Sequence, residues 1–140
     1  MDQNNDGPHN GSCLCGEIEF EARAKPLCAA YCHCRSCRVN TGAPVAAYVG
    51  FAHDQVHYVH GERAFYQSSP GVQRGFCRNC STPMTYESKR WPGEVHIHIS
   101  ALHQPELFLP EAHIYCAERI PWLEIHDHLP RHPGTTSAGK

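Results

Sequence analysis

Polar and apolar residues alternate with period two along much of the chain, the pattern of strands that bury one face. In residues 17–21, Ile18 and Phe20 fall on one side and Glu17, Glu19 and Glu21 on the other. Further on, Val95, Ile97 and Ile99 alternate with Glu94, His96 and His98. Residues 43–51, 56–59, 64–68, 72–76, 84–87 and 113–116 are further strand candidates, with turns at His60-Gly61-Glu62 and Ser69-Pro70-Gly71. Proline and glycine recur so often that few gaps can hold a helix, and the longest, from Pro26 to Gly42, is occupied by cysteines. One short helical turn is expected over residues 38–41. The pattern predicts a mainly β chain, a small antiparallel sandwich or barrel-like fold. Residues 11–130 read as one domain, after a disordered lead over 1–10 and before a flexible tail over 131–140.

Composition narrows the function. With 140 residues, 41% hydrophobic and 19% charged, the chain suits one globular core. Twelve basic residues against fourteen acidic ones leave a formal charge of −2, so no basic face is implied, which argues against a nucleic-acid partner. The polar start lacks a secretory pattern, and no apolar run approaches the ~20 residues of a membrane helix. A cytoplasmic location is therefore expected, where cysteines bind metal or do chemistry more often than they form disulfides.

Nine cysteines and twelve histidines then stand out. Cys13 and Cys15 are two residues apart, as are Cys32 and Cys34. In an extended chain such pairs lie about 6.5–7 Å apart at Cα, at the limit for a relaxed disulfide, whereas a tight turn aims both sulfurs at one ion. Seven thiols group as Cys13 with Cys15, Cys32 with Cys34 and Cys37, and Cys77 with Cys80. Thiolates favour Zn²⁺, and a structural zinc closes a tetrahedron of four, which Cys13, Cys15, Cys77 and Cys80 supply. Cys32, Cys34 and Cys37 can hold a second zinc with its fourth position open, as in catalytic sites. The alternative is a closed second site whose fourth ligand is His33, Cys28, His113 or Cys116. Arg35 and Arg38 flank that loop and can favour thiolate or bind an anion. Two zinc ions per chain are expected.

These clusters and their flanks resemble the GFA family, the glutathione-dependent formaldehyde-activating enzymes, which share a domain with centromere protein V. The resemblance spans about residues 11–130. It rests on Gly11-Ser12-Cys13-Leu14-Cys15-Gly16, on Cys32-His33-Cys34-Arg35-Ser36-Cys37-Arg38, on Arg74-Gly75-Phe76-Cys77-Arg78-Asn79-Cys80, and on Pro110-Glu111-Ala112-His113-Ile114. It implies a zinc-stapled fold of the β-tent type, with the four-cysteine site structural and Cys32, Cys34 and Cys37 catalytic. It also implies carbon–sulfur lyase chemistry: addition of glutathione, a small thiol, to formaldehyde, a small aldehyde, giving S-(hydroxymethyl)glutathione. A non-catalytic, zinc-stapled protein-interaction module is the alternative. Ser81 departs from the family's usual glycine after the last cysteine. Leu102-His103-Gln104-Pro105 and His128 also depart from it.

Other residues carry lesser expectations. His113 helps shape the open site as a proton carrier, or is a hydrogen-bonded core histidine. His96 and His98 share a strand face and are either metal ligands or a solvated face. Arg63, Arg74 and Arg78 are candidates for the glutathione carboxylates. Trp122 is expected in the core, and Cys28 and Cys116 as buried free thiols.

A structural zinc supplies about 10–16 kcal/mol of apparent binding energy, against a net domain stability of roughly 5–15 kcal/mol. Cys77→Ser or Cys80→Ser protein is accordingly expected to be insoluble or unfolded. A soluble variant that melts, by circular dichroism, where the parent protein melts removes the basis for the closed site.

Overall fold

The structure, a computed structural model, describes residues 6–136. Ten strands lie among the described residues: β1 (His9–Ser12), β2 (Glu19–Ala22), β3 (Cys28–Cys32), β4 (Ala46–Ala52), β5 (Val56–His60), β6 (Ala64–Ser69), β7 (Val72–Phe76), β8 (Pro83–Ser88), β9 (Glu94–His98) and β10 (His113–Ile114). One α-helix, α1 (Arg35–Thr41), lies between β3 and β4, and short 3-10 turns join several strands. A three-stranded sheet has the order β1-β2-β5, and a seven-stranded sheet the order β10-β3-β4-β9-β8-β7-β6. Every pairing is antiparallel except that of β10 with β3. The chain is mainly β, as its alternation predicts, and neither sheet closes into a barrel among the described residues. No helix among them is long and apolar enough to cross a membrane.

Alternation decides which face of the large sheet meets the core. Val49 and Phe51 of β4 and Val95 and Ile97 of β9 point to one side, where they meet Phe20 and Ala22 of β2. Ile18, Met84, Leu102 and Phe108 complete this core, and Phe108 stands edge-on to Phe51 at 6.1 Å between ring centres. Residues of the opposite parity form a second cluster, with Ala46 and Tyr48 of β4 beside Cys32 and Cys37.

Three elements differ from the pattern reading. β3 occupies Cys28-Ala29-Ala30-Tyr31-Cys32, a run whose small and sulfur-bearing residues carry no clear alternation; pairing on both edges makes it a strand. α1 is longer than the expected turn because Cys34 caps it, its sulfur accepting from the Cys37 N–H at 3.3 Å. Gly42 ends it at φ 66°, a conformation that glycine adopts without strain. The expected lead and tail are both shorter within the described residues. His9 and Asn10 already pair with β2, the Tyr115 N–H donates to the Gly134 carbonyl and the Cys116 N–H to that of His132. Residues 1–5 and 137–140 lie outside the described residues.

Phe51 is fully buried at the centre of this core. Phe51→Ala is expected to lower stability by about 3–5 kcal/mol, through lost burial and the cavity left behind. Urea unfolding of the metal-loaded protein measures it.

Candidate metal centres

The first centre joins distant parts of the chain. Cys13 and Cys15 lie in the turn after β1, and Cys77 and Cys80 in the turn between β7 and β8. Their four sulfurs lie within 4.8 Å of one another, with Cys13 Sγ 3.6 Å and Cys77 Sγ 3.9 Å from Cys15 Sγ. Backbone N–H groups point at these sulfurs: Ile18 donates to Cys13 at 3.3 Å and Cys80 to Cys77 at 3.4 Å. Asn79 Nδ2 donates to Cys15 at 3.2 Å. Hydrogen bonds from the Thr82 hydroxyl and backbone hold the Cys80 thiol down to about 5. Four thiols so placed, with donors that favour thiolate, fit a tetrahedral metal ion. Ser81 completes the turn at φ 67°, the left-handed conformation that explains why glycine is usual there.

The second centre is local. Cys32 ends β3, Cys34 caps α1 and Cys37 lies in its first turn, so a strand-to-helix corner gathers all three sulfurs within 4.8 Å. Tyr48 on β4 donates its hydroxyl to Cys37 Sγ at 3.3 Å. Arg74 on β7, also buried, reaches Cys37 Sγ at 3.7 Å and the Tyr48 oxygen at 3.4 Å, and is held by Ser68 Oγ at 3.0 Å. Hydrogen bonds from Cys32 and then Cys34 drive the Cys37 thiol far below its ordinary value; Tyr48 and Arg74 add to this. Burial, then the charge on Cys37, keeps Tyr48 a neutral phenol and so a donor. This set fits a metal ion with three sulfur ligands.

None of the four candidate fourth ligands joins the group, and among the described residues no other Cys, His or carboxylate atom does. His33 and His113 turn away from the thiols. His33 Nε2 and His113 Nδ1 lie 2.9 Å apart, and His113 Nε2 lies 2.9 Å from an Asp127 carboxylate oxygen. The hydrogen bond from His113, ahead of those from Leu129 and Arg131, holds Asp127 down to about 2. This chain lies behind the Cys32–Cys34 turn and borders a separate cavity of about 300 Å³ that also includes Cys116. Cys28 lies further along β3. The flanking arginines are used in fixing the corner: Arg38 donates to the carbonyls of His33 and Glu118, and the Arg35 N–H to the Glu118 carboxylate.

The three thiols open onto a cleft of about 610 Å³, lined on the sheet side by Tyr48, Arg74, Tyr86 and His96 and closed in part by Thr135 and Thr136. Of the candidate carboxylate-binding arginines, Arg74 alone lines it. Arg63 bonds Thr85 and Glu87 and lies over the rings of Tyr58 and Phe65; Arg78 is exposed in the turn that bears Cys77. His96 and His98 do share a face, but it is not a solvated one: His96 lines the cleft and His98 is buried beside it. His98 packs against the Tyr48 ring at 4.4 Å. Three expectations are corrected: Trp122 is 73% exposed, Cys28 is exposed and Cys116 is half-buried. Tyr48 went unnoticed in the sequence, because only its parity on β4 and the register with β3 bring it to Cys37.

Burial lowers the His98 imidazole to about 4, so the folded protein holds it neutral. The unfolded chain titrates near 6.5 and therefore binds more protons between those values, so stability falls as the pH drops from about 6.5 to about 4. The loss reaches roughly 3 kcal/mol. Urea unfolding at a series of pH values, on the protein and on His98→Gln, is expected to show a steeper loss toward acid with the histidine than without it.

The profile of the family described as glutathione-dependent formaldehyde-activating enzyme matches residues 8–118. A Halomonas elongata protein provisionally assigned that same activity is 30% identical over 125 residues, covering 82% of this chain and 79% of its own. An uncharacterised lyase of Schizosaccharomyces pombe is 30% identical over 80 residues, 56% of each chain. A crystal structure of a Rhodobacter sphaeroides protein superposes with a TM-score of 0.57 at 25% identity, covering 67% of this chain and 87% of the other. With the family profile matched across both cysteine-bearing turns and the corner between them, the chain belongs to the glutathione-dependent formaldehyde-activating enzyme family.

Proposed function

We propose that the protein is a zinc-dependent carbon–sulfur lyase that joins glutathione, or a closely similar small thiol, to formaldehyde and releases it in reverse. The observation that carries this reading is the donor set at the strand-to-helix corner: three thiols, without a fourth ligand among the described residues, opening onto a cleft. Its volume of about 610 Å³ suits a tripeptide-sized ligand. In this reading Cys13, Cys15, Cys77 and Cys80 hold the structural ion, and Cys32, Cys34 and Cys37 the catalytic one.

Cys32, Cys34 and Cys37 would hold a zinc ion that would polarise a carbonyl oxygen or keep a substrate thiol ionised at neutral pH. The chain's own residues supply the rest. In the addition, the sulfur lone pair forms the new S–C bond, the C=O π pair moves onto oxygen, and the thiol proton ends on the resulting hydroxyl. Arg74 and Tyr48 bring a fixed positive charge and an O–H donor to the Cys37 sulfur, one of the three thiols at the cleft, and so favour its thiolate form. The cleft walls, Tyr86, Trp91 and Ile114 among them, gather the reactants and exclude water. His113 does not line this cleft, and its part is to orient His33 and with it the turn between Cys32 and Cys34.

Adduct formation is spontaneous, so the measurement is exchange NMR on glutathione with formaldehyde, with and without protein. The protein is expected to accelerate exchange, Cys34→Ser to return it to the spontaneous rate, and Tyr48→Phe to slow it about tenfold or more, the cost of one hydrogen bond to a charged sulfur. A protein that leaves the rate unchanged overturns the reading.

A further inference from the structure

Outside the two groups of thiols, a third set of donors converges on the cleft face: Cys28 of β3 with Glu94 and His96 of β9. Register brings them together. Cys28 pairs with Gly50 on β4, and Gly50 pairs with His96, so the three positions form one row across the sheet. Glu94 lies two residues from His96 and so on the same face. The Cys28 sulfur, a His96 ring nitrogen and a Glu94 carboxylate oxygen lie within 4.8 Å of one another, with His96 Nε2 and Glu94 Oε1 at 3.0 Å.

Gly50 makes the convergence possible. A Cβ at this position would lie 2.8 Å from Cys28 Sγ and 3.3 Å from His96 Nε2, filling the space between the donors. The backbone there does not need glycine, since its φ is not in the left-handed range; the open space does. Charge points the same way. Desolvation of the sulfur, then the negative charge of Glu94 and more weakly of Glu111, pushes the Cys28 thiol up, which works against a lone thiolate and in favour of a thiolate bound to a divalent cation.

We propose that Cys28, Glu94 and His96 form a third metal site, which takes one zinc ion through sulfur, carboxylate oxygen and imidazole nitrogen and leaves its fourth position open to the cleft. Zinc accepts this mixed donor set. Its bond lengths of about 2.0–2.3 Å place tetrahedral donors roughly 3.3–3.7 Å apart, which small side-chain rotations reach from the present separations. With three ligands and an exposed cysteine, the ion exchanges faster than one enclosed by four thiolates. His98 takes no part, because its ring is packed on Tyr48. The site stands apart from the seven other cysteine ligands and does not depend on the lyase reading.

The test is a Zn²⁺ titration of the full chain followed by native mass spectrometry, with iodoacetamide labelling of Cys28 read by peptide mass in parallel. The parent protein is expected to take one zinc more than Cys28→Ala, His96→Gln or Gly50→Ala, each of which keeps the metal held by the other cysteines. Zinc is expected to slow labelling of Cys28 at least about tenfold in the parent protein and to have no such effect in His96→Gln. Equal zinc content in the parent and Cys28→Ala proteins overturns the proposal. So does labelling of Cys28 in the parent protein that is indifferent to zinc, and that measurement needs no variant to fold.

Discussion

The register of β3, β4 and β9 is the constraint on which the molecule depends. Successive side chains of a strand point to opposite faces, so one register assigns every residue of these strands to the core or to the cleft. Val49 and Phe51 opposite Ile97 and Val95 build the apolar side. The same pairing sets Tyr48 beside His98 and Gly50 between Cys28 and His96 on the other side. A slip of one residue would put Phe51 in the cleft and Tyr48 in the core. The hydrophobic effect that selects the core register therefore selects the arrangement of the polar groups as well.

The two centres differ in how they relate to that sheet. Cys13, Cys15, Cys77 and Cys80 come from turns more than sixty residues apart, and an ion among them ties the small sheet to the large one. Such a link removes much of the loop-closure entropy that a chain with so many short strands must overcome. Cys32, Cys34 and Cys37 come from one corner, and an ion there closes little chain. Their corner is already held by other means: the Cys34 cap, the Arg38 bonds to two carbonyls, and the His33–His113–Asp127 chain behind it. A site held in place without its ion is suited to one that exchanges ligands.

The cleft shows how a polar face becomes an enclosed one. β9 presents Glu94, His96 and His98 to the side opposite the core, and in an isolated sheet that side would be water. The segment after β10 changes this, because Tyr115 and Cys116 are bonded to the carbonyls of Gly134 and His132, which carries Thr135 and Thr136 to the rim. Burial then keeps His98 neutral and Tyr48 protonated, and sets Arg74 against a sulfur instead of solvent.

Much of the fold and of the candidate site was legible in the amino-acid order. Period-two alternation located most strands, since hydrophobic burial acts on every second residue whatever the topology. Cysteine spacing grouped the thiols as two pairs and a triplet, because short turns fix which neighbouring sulfurs can reach one ion, and the four ligands of a structural zinc joined the two pairs. Strands β1 and β3 were not legible, since His9-Asn10-Gly11-Ser12 and Cys28-Ala29-Ala30-Tyr31-Cys32 carry weak alternation and are strands only because partners flank them. Tyr48 and Arg74 beside Cys37, the gap that Gly50 leaves between Cys28 and His96, and the exposure of Trp122 belong to tertiary structure alone. Each depends on which strand lies next to which. Local spacing holds information about neighbours along the chain, whereas contacts between strands dozens of residues apart are decided only when the sheet assembles.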